Sequence, residues 1–251
     1  MPDLPRILVV EDDPVNLLVL TRMLRRLGHE ADIAKNGREA VEATAKVAYD
    51  IIFMDLMMPE LDGIQAARQI RSSPNGSGPT IFAVTANVMP EIRAACMDAG
   101  MDDYVTKPIQ LDTIRGLLAD SRGSTPPDSA DSTPESTFLN RQTLAELQEM
   151  MGDEDFFAEL LCEFVKDSNL LLNDMGSALQ SDRMDEVSRA AHTLKSTAAT
   201  FGGVGLTQAA IGAEQAARRG DRAALRGLLS TLVHERKRLC EALIPSADSR
   251  A

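Results

Sequence analysis

The chain has 251 residues, enough for one large domain or two ordinary ones, and its 44% hydrophobic and 25% charged residues are typical of a globular protein. Its net charge of −12 argues against a nucleic-acid backbone as the main partner, because that contact needs clustered Lys and Arg. The acidity is spread along the chain: residues 1–120 carry 12 basic and 18 acidic side chains (−6), 121–136 carry 1 and 3 (−2), and 137–251 carry 13 and 17 (−4).

Cys96, Cys162 and Cys240 are far apart, odd in number and in no metal-like spacing, which fits a reduced intracellular protein. The apolar run after Arg6 is too short for a signal-peptide core, and no run approaches the roughly 20 residues of a membrane span. A cytoplasmic location is the expectation.

Ile7 to Val10 reads as a buried strand, followed by Glu11, Asp12 and Asp13 and then Pro14 at a helix start, with Asp13 as its cap. Leu17, Leu20, Leu24 and Leu27 recur at helical spacing up to Gly28. Glu30 to Ala34 is a second strand, Asn36-Gly37 a turn, and Arg38 to Val47 an Ala-rich helix. Ile51 to Met54 is wholly apolar, as a strand buried on both faces requires, and ends on Asp55. A proline turn and Asp62-Gly63 then open a helix to Ser72. Residues 73–79 are a Gly/Pro/Ser loop, Thr80 to Val84 a fourth strand ending on Thr85, and Val88 to Ala99 a helix. Asp103 to Thr106 is a fifth strand, followed by Lys107-Pro108 and a last helix. This alternation predicts an α/β domain over 1–120: a parallel sheet with helices on both faces.

Right-handed crossovers bring the carboxyl ends of these strands to one edge of the sheet. Glu11, Asp12, Asp55, Thr85 and Lys107 therefore gather there. Three carboxylates repel one another unless a cation joins them, and oxygen ligands alone favour a hard ion such as Mg²⁺. A static network neutralised by Lys107 would explain the charges but not the hydroxyl of Thr85. A phosphoryl group on Asp55 explains every member.

Residues 121–136, rich in Ser, Thr, Pro and acids, read as a flexible linker. Beyond it, over 137–245, helical periodicity is continuous, with caps expected at Asn140, Asp182 and Asp221, a long helix starting at Asp153, and a disordered tail over 246–251. Short connections between long amphipathic helices predict an all-α four-helix bundle with a short leading helix. Its third helix, counting the short leading one, carries a core stripe of Val187, Ala191, Leu194, Ala198 and Phe201. His192 lies about 200° from Leu194, which directs the imidazole toward solvent, with Lys195 and Ser196 on the same face. Lys195 beside His192 suits a group that carries phosphoryl charge.

Val9-Val10-Glu11-Asp12, Met54-Asp55-Leu56-Met57-Met58-Pro59 with Asp62-Gly63, Thr85-Ala86-Asn87 and Lys107-Pro108 together resemble a response-regulator receiver domain. The resemblance implies a flavodoxin-like doubly wound five-stranded sheet and Asp55 as phosphoacceptor. It also implies Mg²⁺ held by Glu11 (through water), Asp12, Asp55 and the Met57 carbonyl. A cis Lys107-Pro108 bond and a switch pair of Thr85 and Tyr104 follow from it as well. The motif wording is closer to receivers of hybrid kinases and phosphorelays than to those of DNA-binding regulators. Ala191-His192-Thr193-Leu194-Lys195-Ser196 through Phe201-Gly202 resembles the active helix of histidine phosphotransfer (HPt) domains. Family members usually have Gly where Ser196 stands, and Thr200 occupies a place from which an amide or hydroxyl often helps the imidazole.

Together these resemblances imply a phosphorelay protein, with a sensor or hybrid histidine kinase upstream and receiver domains as downstream partners. Asp55 would accept a phosphoryl group, and His192 would carry one to or from a receiver aspartate. No ATP-binding or DNA-binding module is visible in the sequence, so the expectation is a phosphotransfer protein and not a kinase. The Met1 start favours a free-standing protein over the tail of a hybrid kinase. The alternative is a phosphorylation-gated module or phosphate sink, in which the receiver controls access to the HPt domain.

Overall fold

The computed structural model describes residues 4–73, 78–86, 90–119, 138–152 and 154–244. The chain divides into two compact units, residues 1–130 and 131–251, each described by itself below. The linker expected over 121–136, the tail over 246–251, the helix start at Asp153 and Asn87 of the Thr-Ala-Asn motif lie outside the described residues.

In the first unit five strands, β1 (Ile7–Val10), β2 (Ala31–Ala34), β3 (Ile51–Asp55), β4 (Thr80–Thr85) and β5 (Asp103–Thr106), form one parallel sheet in the order β2-β1-β3-β4-β5. Helices α1 (Pro14–Arg26), α2 (Gly37–Lys46), α3 (Gly63–Arg71), α4 (Pro90–Asp98) and α5 (Leu111–Ala119) alternate with the strands. This is the α/β architecture expected. The central strands β1 and β3 are buried at every position, which is why they read as unbroken apolar runs. Edge strand β2 is exposed at its two middle positions and begins at Ala31, one residue later than expected.

The turns follow their residues. Asp13 caps α1 by accepting from the Asn16 N–H at 2.7 Å, and Asp62 caps α3 by accepting from Gln65 N–H at 2.8 Å. Asn36 caps α2 in the same way, so Asn36-Gly37 is a helix start and not a free turn. At Gly63 the backbone N–H reaches the Leu56 carbonyl at 3.1 Å, and a Cβ there would overlap the Asp55 carbonyl oxygen. Only glycine lets the chain fold back so closely on the end of β3.

The second unit holds α6 (Arg141–Met151), α7 (Glu154–Gln180), α8 (Met184–Thr200), α9 (Val204–Arg218) and α10 (Arg222–Leu243). Helices α7 to α10 pack each against the next, with α10 returning to α7, and short α6 leans on α7 and α8. This is the expected four-helix bundle with a leading helix. The predicted stripe of Val187, Ala191, Leu194, Ala198 and Phe201 is wholly buried, and the Phe201 ring meets Phe164 at 4.6 Å between centroids. Asn140 and Asp221 cap α6 and α10 as expected. Asp182 does not cap α8. It takes φ +59° in the turn, Arg183 holds the cap position without a side-chain bond, and the helix begins at Met184. The reason is a tight three-residue turn that needs its left-handed residue at 182. No described helix is long and apolar enough to cross a membrane.

Candidate functional site

In the first unit the carboxyl ends of β1, β3 and β5 deliver their side chains to one place, and β4 ends beside β5 on the same edge of the sheet. Glu11, Asp12 and Asp55 each present a carboxylate oxygen within 4.8 Å of the others. Lys107 Nζ donates to Glu11 Oε2 at 2.7 Å and to Asp55 Oδ2 at 2.9 Å, with all three side chains almost wholly buried. Lys107 N–H donates to the Thr85 carbonyl at 2.8 Å, which ties the end of β5 to the end of β4. Its bond to Pro108 is cis, as the resemblance implies. Met57 N–H donates to Asp55 Oδ1 at 3.3 Å and holds the loop after β3 over the carboxylate.

The electrostatics follow from burial. Taking Glu11 out of water, with Asp55 and then Asp13 nearby, raises its pKa well above the ordinary value, against the pull of Lys107. Burial alone would lower the Lys107 pKa, but the charges of Asp55 and Glu11 and their hydrogen bonds outweigh it and hold the ammonium protonated far above its usual range. Among the described residues, three carboxylates against one ammonium leave the pocket short of positive charge. Tyr104 lies on β5 beside Ala83 of β4, partly buried against the core, with the Arg93 guanidinium 5.4 Å from its ring centroid.

In the second unit the structure corrects one expectation. His192 does not face solvent: it is 7% exposed and turned toward α9. Its Nδ1 lies 3.0 Å from Glu214 Oε1, and the Lys195 ammonium donates to Glu214 Oε2 at 2.8 Å. Arg218, one turn beyond Glu214, donates to Oε1 at 2.5 Å. An angle from Leu194 alone does not mark the edge of the buried face of α8. With Leu194 on one flank of a broad buried face, the opposite flank still meets α9. Lys195 and Ser196 share the histidine's face as expected, but they too are buried. The Thr200 hydroxyl donates to the Ser196 carbonyl within the helix, and the group that meets the imidazole is Glu214.

Burial would raise the Glu214 pKa, but hydrogen bonds from His192 and Lys195, and their charges, bring it down to about 2. An ionised carboxylate only accepts, so the Nδ1 between ring and carboxylate carries a proton, and whenever the ring is neutral the lone pair is on Nε2. Lys195 Nζ approaches Nδ1 to 3.2 Å, a contact that cannot also be a hydrogen bond while Nδ1 donates to Glu214. Helical periodicity alone does not single out Glu214 or Arg218. A signal existed: Glu214 interrupts a run of small residues on α9, with Ala210, Ala213, Ala216 and Ala217 all buried around it.

Comparison with known proteins agrees with this division. The family model of the response regulator receiver domain matches residues 7–119, and that of the Hpt domain matches 159–244. A probable histidine kinase 1 of Oryza sativa subsp. indica is 38% identical over 144 residues, 45% of this chain and 15% of the kinase. The response regulator MprA of Mycobacterium sp. (strain KMS) is 37% identical over 135 residues, 54% of this chain and 58% of that protein. Among solved structures, the receiver domain of a sensor histidine kinase from Pseudomonas aeruginosa PAO1, crystallised with a magnesium ion coordinated in the active site cleft, is 41% identical. It covers 45% of this chain and 93% of its own, with a TM-score of 0.44. The chain thus spans a small part of the length of the kinases it matches. It belongs to the two-component phosphorelay proteins, as a response regulator receiver domain followed by an Hpt domain.

Proposed function

We propose that Asp55 accepts a phosphoryl group from a phosphohistidine on a partner kinase or HPt domain, and that His192 carries a phosphoryl group to or from a receiver aspartate. The observation that carries this reading is the Asp55 carboxylate, set against the Lys107 ammonium inside a cluster of three acids. An Asp55 oxygen attacks phosphorus as the P–N bond breaks, and neutral imidazole leaves when its other ring nitrogen holds a proton. Lys107 and the Thr85 hydroxyl would neutralise and bind the oxygens of the transferred group.

The donors fit a magnesium ion: all are oxygen, and their mutual distance suits one hard cation. Asp12, Asp55 and the Met57 carbonyl would hold it directly and Glu11 through water. When bound, Mg²⁺ supplies the positive charge that the phosphoryl oxygens need and the pocket lacks. Tyr104 and Thr85 would change position together once Asp55 is modified.

At His192 the chain's own residues set the tautomer. Glu214 keeps the proton on Nδ1, so that Nε2 is the nucleophile when the ring accepts and neutral imidazole is the leaving group when it donates. A second reading, in which phosphorylation gates access to the Hpt domain, is favoured by the low exposure of His192. Purified cognate kinase, labelled ATP and the wild-type, Asp55→Asn and His192→Gln chains separate the two. Relay predicts that His192→Gln ends transfer to downstream receivers. Unchanged transfer in that variant refutes it.

A further inference from the structure

The residue expected to hold the phosphoryl charge on this Hpt domain is Lys195, yet the structure commits it elsewhere. Its ammonium is buried, donates to Glu214 Oε2, and lies against Nδ1. Arg218 also binds Glu214, through the oxygen that Nδ1 uses. Both cations therefore gather at the nitrogen that keeps its proton. Among the described residues Nε2, the nitrogen that would bear phosphorus, makes no hydrogen bond.

Helical side chains lean toward the helix N-terminus, so a residue covers the turn before its own Cα. For His192 that turn holds Ser188 and Arg189, four and three residues earlier on the same face. Arg189 is exposed and forms no ion pair among the described residues. Ser188 is buried, and its hydroxyl takes no partner among them. One turn of α8 thus offers an uncommitted guanidinium and an uncommitted hydroxyl on the side toward which the imidazole extends. We infer that Arg189, assisted by the Ser188 hydroxyl, binds the phosphoryl oxygens on Nε2, while Lys195 serves Glu214 and the tautomer. Guanidinium matches phosphate oxygens with two parallel N–H donors and is more weakly hydrated than ammonium, whereas Lys195 would have to leave Glu214 to bind them.

This inference rests on His192 being a phosphoacceptor, and the test separates the two. The full chain carrying Asp55→Asn is loaded with phosphoramidate, which passes its phosphoryl group to Nε2 and releases ammonia. The ³¹P shift of the phosphohistidine is then followed against pH. A nearby cation favours the doubly ionised phosphoryl, so removing it raises the titration midpoint. Arg189→Ala should raise the midpoint by about one unit, within the range set by one opposite charge at close approach. Arg189→Lys should restore about half of that shift, and Ser188→Ala should move it by less. Lys195→Met should leave it closer to wild type than Arg189→Ala does. A midpoint unmoved by Arg189→Ala, or moved more by Lys195→Met, overturns the inference while leaving His192 as acceptor. Failure of the Asp55→Asn chain to load at all overturns both.

Discussion

Substituting Glu214 by Gln keeps the shape of the side chain and removes its charge, which leaves the buried Lys195 ammonium without a counter-ion. The magnitude follows from linkage. A carboxyl whose pKa falls from 4.5 unfolded to about 2 folded contributes about 3 kcal/mol of stability at neutral pH. Because the folded pKa is depressed, that contribution is full above pH 4.5 and is lost as the pH falls toward 2. The gap between wild type and Glu214→Gln should therefore be about 3 kcal/mol at pH 7 and fall to roughly half of that at pH 3. The Phe164 and Phe201 rings pack inside the bundle, so their NMR signals in urea report the second unit within the full chain. The amide can also donate to Nδ1, which releases the other tautomer and puts the proton on Nε2. Loading of His192 by phosphoramidate should slow accordingly in the variant. A gap that stays constant from pH 7 to pH 3, or a variant as stable as wild type at pH 7, refutes the ion-pair account of this cluster.

Two further substitutions probe the first unit. Gly63→Ala places a methyl group on the Asp55 carbonyl, so it should cost at least about 2 kcal/mol in chemical denaturation and weaken Mg²⁺ binding together with stability. Lys107→Met leaves Glu11 and Asp55 buried without their ammonium and should cost about 3–5 kcal/mol, a loss that millimolar Mg²⁺ partly reverses in the same denaturation experiment.

The first unit was legible because each of its site residues ends a strand. A wholly apolar run has one natural stopping point, and the parallel topology then assigns every such point to one edge, so Glu11, Asp12, Asp55, Thr85 and Lys107 could be assembled without coordinates. The second site depends on which residues of two helices face each other, and that is set by packing. His192 could be placed on α8 from periodicity, but its partner could not, because many positions of α9 could have met it. Glu214 and Arg218, four residues apart, look in the sequence like an ordinary exposed helical ion pair. Only the contact between α8 and α9 shows that the acid is buried and faces an imidazole.

The two sites are opposite in charge, and this difference predicts where a metal is needed. Around Asp55 stand three carboxylates and one ammonium; around His192 stand Lys195 and Arg218 with the single carboxylate of Glu214, and Arg189 lies one turn away. A phosphoryl group adds up to about two negative charges. At His192 the surplus of cations already balances it. On Asp55 the acyl phosphate removes the carboxylate's own charge, yet among the described residues Glu11, Asp12 and the phosphoryl oxygens still face only the Lys107 cation, and close like charges in a buried pocket are costly. Phosphoramidate can address both residues, so one reagent allows a direct comparison. Chelation of divalent ions by EDTA should abolish labelling of Asp55 in the His192→Gln chain, and leave labelling of His192 in the Asp55→Asn chain within about twofold of its rate with Mg²⁺. Equal sensitivity of the two residues to EDTA would show that the charge balance built into each unit does not determine its need for metal.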